Sequence, residues 1–378
     1  MSDLSNLQSA QKKGLPFKIR IEPRLSEPPK WFAFVLSLGA IIFSLLIVAV
    51  MITIVGGDPW KTYAHIAKAS FGSVGVFSDT IVKAIPLMLI GLACSLAFRM
   101  RLWNIGAEGQ FYLGAFGASM IVLTPILPAT APRWLMIIVM VITGMAFGAA
   151  WGFIPGFLKA KFDVNEIIST LMMNYIAVAW NNFFIYAIWS ERGFQMSKVF
   201  PKNAWLPRLT DYASQVKLFS GLTTHMGLLF ALVAAVIVWL ILFRSRWGYE
   251  IRLLGDNPRA AQYAGISIKK NIVYVMMMSG ALAGLAGMSE ITGVVHRLQG
   301  SISPGYGFTG IIVAWLAKLN PYAVILVSIL FGALILAGRE IQPSGIPKMV
   351  QGIILVSLIA SDFFMRYKIA IVRQTEED

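Results

Sequence analysis

The residues best able to interact with a polar ligand form two stripes within otherwise apolar sequence. Asn104, Glu108 and Tyr112 follow one another at intervals of four, and Gln110 lies between the last two. The second stripe consists of Glu166, Thr170 and Asn174. Residues four apart lie on one face of a helix, so each stripe would present its polar groups together. Such groups bind a polar solute or hydrogen-bond neighbouring helices, and both interpretations stay open.

The sequence lacks the residues that other kinds of site require. One cysteine, Cys94, has no partner for a disulfide or a thiolate metal site, and the three histidines, His65, His225 and His296, lie far apart. No GxxxxGK[ST] phosphate-binding loop occurs in the 378 residues. We therefore predict no catalytic residues, no metal site and no nucleotide site in this chain.

The composition indicates that these polar groups lie in a membrane. The chain is 57% hydrophobic and 13% charged, with a mean hydropathy of +0.71. Soluble domains have about 45–50% apolar and about 25% charged residues. A charged side chain at the bilayer centre costs roughly 2.5–3.5 kcal/mol, so the few that occur there need a specific role.

The apolar runs predict an all-α polytopic membrane protein with about ten transmembrane helices, since about 20 apolar residues cross a bilayer. Two of the runs reach spanning length only if Lys83 and Lys348 extend their ammonium groups to the interface. The short eighth segment precedes Asn320 and Pro321, which favours a broken helix there. The predicted helices lie near 31–56, 78–99, 103–127, 134–158, 166–189, 224–243, 271–293, 306–318, 321–338 and 346–364.

The distribution of charge predicts the orientation of the chain. The net charge is +14, and most of the 32 basic residues become cytoplasmic if both termini are cytoplasmic. Orientation and anionic lipid thus account for the excess charge, and we expect no nucleic-acid partner. The predicted domains are a disordered basic cytoplasmic tail (1–30), a transmembrane domain (31–364) and a cytoplasmic tail (365–378). Within the transmembrane domain, 190–225 is an external loop and 244–270 a cytoplasmic loop.

Small residues recur at helical spacing in two of the predicted helices. One set is Gly144, Gly148, Gly152 and Gly156, and the other is Gly280, Ala283, Gly284 and Gly287. Such faces let helix backbones approach closely in a membrane. They predict either static packing, which we favour, or a surface along which helices slide.

The cytoplasmic loop contains a short predicted helix. Asn257 is a suitable N-cap, Pro258 a suitable first residue and Gly265 a suitable C-terminal stop. A helix of two turns is marginal alone in water, so it needs something to pack against. Its small Ala260 and Ala261 would allow close approach, although an ordinary loop helix explains the same pattern.

Three motifs resemble those of one family, the permease subunits of ATP-binding-cassette importers. They are WNIGAEGQ at Trp103–Gln110, VNEIISTLMMNYIA at Val164–Ala177 and GDNPRAAQYAGI at Gly255–Ile266. The resemblance covers about residues 31–364 and is greatest to the branch shared by ribose, branched-chain amino-acid and basic-membrane-lipoprotein systems, specifically its nucleoside-uptake permeases. Within the loop motif, Arg259 stands where many members have Glu.

The resemblance implies a bacterial inner-membrane permease that forms part of a path for nucleosides or simple sugars. Its partners would be an ATPase that binds ATP, a second and different permease, an extracytoplasmic solute-binding protein and membrane lipid. The implied coupling residues are Gly255, Asn257, Pro258, Arg259, Ala260, Ala261 and Gly265. The hypothesised path residues are Asn104, Glu108, Gln110, Tyr112 and Asn174. Aromatic residues such as Trp103, Phe111 or Tyr112 could stack on a nucleobase.

Two other classes of protein fit parts of the sequence. A proton-coupled secondary transporter of a small polar solute would use Glu108 or Glu290 as an intramembrane proton carrier and would need no partner. An intramembrane enzyme would need clustered acids or metal ligands at one membrane face, and the sequence offers no such cluster. The choice among purine nucleosides, pyrimidine nucleosides and sugars stays open.

Overall fold

A computed structural model describes residues 17–23, 29–124, 126–128, 130–338 and 345–373. These residues form thirteen α-helices and two strands. In chain order the elements are β1 (Phe17–Pro23), α1 (Lys30–Ile54), α2 (Pro59–Phe71), α3 (Val74–Arg99), α4 (Ala107–Leu123), α5 (Arg133–Phe162), α6 (Glu166–Ala187), α7 (Gly227–Arg244), α8 (Arg246–Asp256), α9 (Pro258–Tyr263), α10 (Ile268–Glu290), α11 (Tyr306–Leu316), α12 (Pro321–Ala337), α13 (Ile346–Arg366) and β2 (Tyr367–Arg373).

Each predicted apolar segment contains a helix, and the structure adds two helices that hydropathy did not indicate, α2 and α8. Helix α2 begins with a local signal, because Asp58 Oδ1 accepts the N–H of Trp60 at 3.0 Å and Pro59 is its first residue. Among the described residues, four helices are long and apolar enough to span a membrane: α3, α5, α7 and α10 with its extension, the π-helical turn Ile291–Val295. A fifth span results if α1 and α2 count together. The larger predicted number of crossings stays a prediction.

The all-α prediction is incomplete. Strands β1 and β2 form an antiparallel ladder that runs from the pair Phe17–Arg373 to the pair Pro23–Tyr367. The disordered tail predicted for 1–30 therefore contains a strand, and so does the tail predicted for 365–378. The local sequence does not indicate the ladder, because each strand is a short segment whose partner lies at the opposite end of the chain.

The chain divides into two compact units. The smaller holds β1, α1, β2 and most of α13, and the larger is Asp58–Pro347. Within the larger unit α3 is central, with 94% of its apolar stretch buried against 28% for α5. Helix α3 is surrounded by α7, α10, α11 and α12 and therefore lies at the centre of this unit.

Helices α4, α5 and α10 pack with almost no side chain between their backbones. A Cβ at Gly148 of α5 would lie 2.2 Å from the carbonyl oxygen of Gly280 in α10. A Cβ at Gly114 of α4 would lie 2.2 Å from the Cα of Gly284 in α10. The predicted close approach is confirmed, and the structure shows that the two small-residue faces pack against each other.

The predicted break near Asn320 is also present. Helix α11 ends at Leu316, and Lys318 and Leu319 have φ values of 50° and 57°, which no α-helix continues. Asn320 then caps α12 by accepting the N–H of Tyr322 at 3.0 Å. At about 1.5 Å per residue α11 is too short to cross a bilayer. It is a half-length helix that packs mainly against α3 and also contacts α12 and α4.

The glycine packing makes a prediction about stability. Gly148→Ala should lower the thermal denaturation midpoint, because the added methyl group would collide with the Gly280 carbonyl. Gly352→Ala in α13 is the matched control, since no atom lies within 4 Å of its Cβ position. Both changes gain roughly 1 kcal/mol of helix propensity, so the difference between them measures the close approach. Equal midpoints in detergent would contradict the packing.

Candidate functional site

The first polar stripe is not carried by one helix. Helix α4 begins at Ala107, so the predicted start at residue 103 is wrong and Asn104 lies in the preceding turn. The Oδ1 atom of Asn104 accepts the N–H of Gly106 at 3.1 Å, which stabilises the turn in place of a helical hydrogen bond. Asn104 is fully buried there.

Asn104 connects three helices. Its Nδ2 donates to Gln110 Oε1 of α4 at 2.9 Å and to Ser279 Oγ of α10 at 2.8 Å. Ser279 in turn donates to the carbonyl oxygen of Ala93 in α3 at 2.8 Å. These bonds hold the start of α4 against α3 and α10.

The two sequence stripes meet through Asn174 of α6. Its Oδ1 accepts the N–H of Gly109 at 2.8 Å, and its Nδ2 donates to the carbonyl oxygen of Ile105 at 3.0 Å. The side-chain amide thus satisfies one backbone donor and one backbone acceptor where the turn becomes a helix. Spacing placed Asn174 on a helix face but could not identify its partner.

Glu108 fixes the beginning of the half-length helix α11. The buried Glu108 Oε2 accepts the N–H of Gly307 at 2.6 Å and lies within hydrogen-bonding reach of Ser303. Ser303 Oγ itself accepts the N–H groups of Gly305 and Tyr306. A carboxylate at a helix N-terminus satisfies unpaired N–H groups and interacts favourably with the helix dipole. Glu108 therefore holds α4 and α11 together.

The aromatic residues proposed to stack on a nucleobase are in different surroundings. Phe111 and Tyr112 are buried, with ring centroids 6.0 Å apart. Trp103 keeps exposed surface and stacks on Trp315, with centroids 5.6 Å apart. In this conformation, Trp103 is the one of the three with substantial exposed surface for a ligand.

In this conformation the polar groups of the candidate path bind one another. Asn104, Gln110 and Asn174 are hydrogen-bonded within the helix bundle, and Glu108 is bonded to α11. The cluster joins α3, α4, α6, α10 and α11 and can stabilise their relative positions. It can present polar atoms to a solute only if these helices separate.

The structure contains a buried ion pair that the sequence did not indicate. Lys83 Nζ of α3 lies 3.2 Å from Glu290 Oε1 of α10, and the two side chains are 6% and 3% exposed. The prediction that Lys83 extends to the interface is therefore wrong, because α3 begins at Val74 and Lys83 lies well inside it. Glu290 is followed by a π-helical turn, Ile291–Val295, a feature that is frequent at functional sites.

A second polar cluster lies beyond this π-helical turn. The rings of Trp205 and His296 stack with centroids 3.8 Å apart, and Arg208 donates to His296 Nε2 at 2.6 Å. Burial and the Arg208 guanidinium lower the pKa of His296 to about 4, so at neutral pH its uncharged ring accepts this bond. Burial likewise lowers the pKa of His225 to about 3.

In the described residues, no three His, Cys, Asp or Glu side chains are placed to hold a metal ion.

The predicted loop helix is present as α9. Asn257 Oδ1 accepts the N–H of Ala260 at 3.1 Å, Pro258 is the first residue and Gly265 follows the helix with a φ of 77°. The buried Ala261 faces the protein. The exposed surface is formed by Pro258, Arg259, Gln262, Tyr263, Ala264 and Gly265, and Tyr263 is 93% exposed.

Helix α8 attaches α9 to the transmembrane helices. Gly255 packs against the end of α3, where a Cβ would lie 2.2 Å from the carbonyl oxygen of Arg99. Trp247 Nε1 donates to Asn271 Oδ1 at the start of α10 at 2.7 Å, and Asn271 Nδ2 donates to Glu250 at 3.0 Å. Gly255 therefore has a positional role within the chain, which its place in the loop motif did not reveal.

The ion pair makes a prediction about stability. Glu290→Gln should destabilise the protein by roughly 3–5 kcal/mol, because it leaves the Lys83 ammonium buried beside a neutral group. The double variant Lys83→Met with Glu290→Gln should regain most of this loss, since no uncompensated charge remains. Thermal denaturation midpoints in detergent measure both. A double variant no more stable than Glu290→Gln would show that the ion pair is not the cause.

Comparison with known proteins identifies the family of the chain. Residues 76–359 match the family described as branched-chain amino acid transport system / permease component. The guanosine ABC transporter permease protein NupP of Bacillus subtilis (strain 168) is 36% identical over 87% of this chain and 93% of its own. A glucose ABC transporter permease protein of Haloferax volcanii is 31% identical over 94% of both chains.

A second guanosine permease protein of Bacillus subtilis, NupQ, is 29% identical over 67% of this chain and 78% of its own. These relatives are permease subunits of ABC transporters. The family match covers most of the larger unit, including α9 and the polar cluster around Asn104. The chain is therefore an integral membrane permease subunit of an ABC transporter and belongs to the branched-chain amino acid transport system permease family.

Proposed function

We propose that this subunit forms part of an importer's path for nucleosides or simple sugars and that a separate ATPase drives it through α9. The observation that carries the proposal is the exposed helix α9, held at one end of the bundle by α8. In the proposed orientation this end and both termini are cytoplasmic, about ten helices cross the membrane, and the membrane is the bacterial inner membrane.

The contacts of α8 indicate how the ATPase would act on the path. Movement of α9 would be transmitted through Gly255 to α3 and through Asn271 to α10. These two helices carry Lys83 and Glu290, and Ser279 of α10 binds Asn104. A rearrangement of α3 and α10 would break the hydrogen bonds within the polar cluster. Its groups would then be exposed first to one side of the membrane and then to the other. ATP would be bound by the partner, and this chain would supply only the gate.

The proposed path residues are Asn104, Glu108, Gln110, Tyr112 and Asn174. Their amide, hydroxyl and carboxyl groups can donate hydrogen bonds to, or accept them from, the hydroxyl groups of a ribose or a hexose. These sugars are themselves uncharged. Guanosine and glucose are the solutes named for two relatives of this chain. A sugar ring is common to both, and this favours recognition of sugar hydroxyl groups.

The proposed complex has further partners. An extracytoplasmic binding protein would deliver the solute against the 190–225 loop, which contains Trp205 and Arg208. A second, different permease would complete the path, because Bacillus subtilis has two distinct guanosine permease proteins that are both similar to this chain. The proposed role involves no nucleic acid.

Uptake by reconstituted vesicles tests the proposal. The chain assembled with its ATPase, second permease and binding protein should take up radiolabelled guanosine or glucose only when ATP is supplied. The chain alone, given a proton gradient, should take up neither. Proton-driven uptake by the chain alone would favour the proton-coupled carrier, although the Lys83 contact already gives Glu290 a structural role.

Glu108→Gln in the same assay tests the path. A glutamine oxygen can still accept the Gly307 N–H, so assembly should be unchanged while uptake falls at least several-fold. Asp163→Asn, which changes a 90% exposed acid at the end of α5, is the control for removal of one negative charge. Normal uptake by Glu108→Gln would assign Glu108 to helix packing alone.

The exposed tyrosine of α9 gives a prediction for ATPase binding. Tyr263→Ala should weaken the affinity for the ATPase by about 2 kcal/mol, since exposed aromatic residues commonly dominate protein interfaces. Tyr249→Ala in α8 is the matched control, because Tyr249 is 56% exposed but lies outside α9. Surface plasmon resonance with the purified ATPase measures both. Equal losses from the two variants would place the interface elsewhere.

A further inference from the structure

We propose that the groove between the end of α5 and the start of α10 binds the headgroup of an anionic phospholipid. The groove has a volume of about 300 Å³ and contains three lysines, Lys161, Lys269 and Lys270. Its walls include Phe157 and Tyr274. The inference adds a lipid site to the proposed transport function and does not depend on the solute carried.

The three lysines of the groove can attract an external anion. Across the described residues, no ion pair involves any of the three lysines. The acids nearest in sequence to Lys161 bind a different lysine, since Lys159 Nζ lies 2.8 Å from Asp163 and 3.4 Å from Glu166. Three ammonium groups at one groove therefore attract an anion with several acceptor oxygens, such as a phosphate.

The apolar side of the groove continues along the transmembrane helices. Phe153 and Phe157 are exposed on one face of α5 and stack with centroids 5.6 Å apart. Lys161 Nζ lies 5.5 Å from the centroid of the Phe157 ring and the same distance from that of Phe162. Tyr274 is exposed on α10 one turn beyond Lys270. The lysines thus meet an aromatic surface that leads away from them along the helices.

The depth of the groove follows from the lengths of its helices. Helix α5 has 30 residues, α10 with its extension has 28, and both are apolar enough to span. Their ends consequently lie at the boundary between hydrocarbon and water, where aromatic residues and lysines are enriched. In the proposed orientation this boundary is the cytoplasmic leaflet, where anionic lipids concentrate.

A phospholipid matches both parts of the groove. Its phosphate would contact the three ammonium groups, and its acyl chains would lie along Phe157 and Phe153. A free phosphate matches only the lysines and leaves the aromatic surface exposed. A cytosolic protein could reach the lysines but not the aromatic residues that lie one to two turns deeper in the membrane. The combination of charge and apolar surface favours the lipid.

Native mass spectrometry of the full chain, alone and with its ATPase, tests the site. Phosphatidylglycerol and phosphatidylcholine with identical acyl chains are titrated separately, and the first should bind at least about tenfold more tightly. Replacing Lys161, Lys269 and Lys270 by Gln should abolish that preference, a loss of up to about a hundredfold at about 1 kcal/mol per lysine. The three lysines are exposed, so the variant should fold, and its denaturation midpoint verifies this.

The matched control removes the same charge elsewhere. Gln replaces three exposed lysines of the 190–225 loop, Lys198, Lys202 and Lys217. An equal loss of phosphatidylglycerol preference in this control would show a general effect of charge and would overturn the site. Displacement of the lipid by an equal concentration of inorganic phosphate would assign the groove to a soluble anion. Retained lipid preference with lost ATPase binding would assign it to the ATPase. None of these outcomes depends on solute uptake.

Discussion

The close approach of α5 and α10 through their glycines is the constraint on which the larger unit depends. In a bilayer, apolar side chains gain little by moving from lipid to protein, so helices associate where backbones can make close van der Waals contact. Gly148, Gly280 and Gly284 permit that contact, and Gly114 brings α4 to the same place. Once α4 and α10 are adjacent, Asn104 can reach Ser279, and the polar cluster forms.

The buried polar groups then fix which helices are neighbours. Glycine faces allow several partners, but a carboxylate or an amide in hydrocarbon must find one specific donor or acceptor. Glu108 is hydrogen-bonded to the start of α11, Asn174 is hydrogen-bonded to the start of α4, and Lys83 forms an ion pair with Glu290. The same groups that could contact a sugar hydroxyl therefore determine the packing in this conformation.

In the proposed function, the attachment of α8 is the route by which a separate ATPase would act on the central helices. Gly255 of α8 contacts the end of α3, and Asn271 at the start of α10 is hydrogen-bonded to α8. The largely buried helices α3 and α10 are therefore both attached to α8. The exposed helix α9 follows α8 directly in the chain. A force applied to Tyr263 would therefore act on α3 and α10, and on α7, which packs against Gly248 of α8, more directly than on the peripheral α5.

The sequence by itself determined the membrane setting, the apolar helix segments other than α2 and α8, the break before Asn320 and the short helix after Asn257. These features depend on hydropathy and on capping bonds between residues two or three positions apart, and both are visible locally. Tertiary structure alone decided that Asn104 bonds to Ser279, that Lys83 pairs with Glu290, which is 207 residues away, and that β1 pairs with β2. Each of these depends on a partner distant in the chain. Periodicity shows the face on which a residue lies, but it carries no information about what packs against that face.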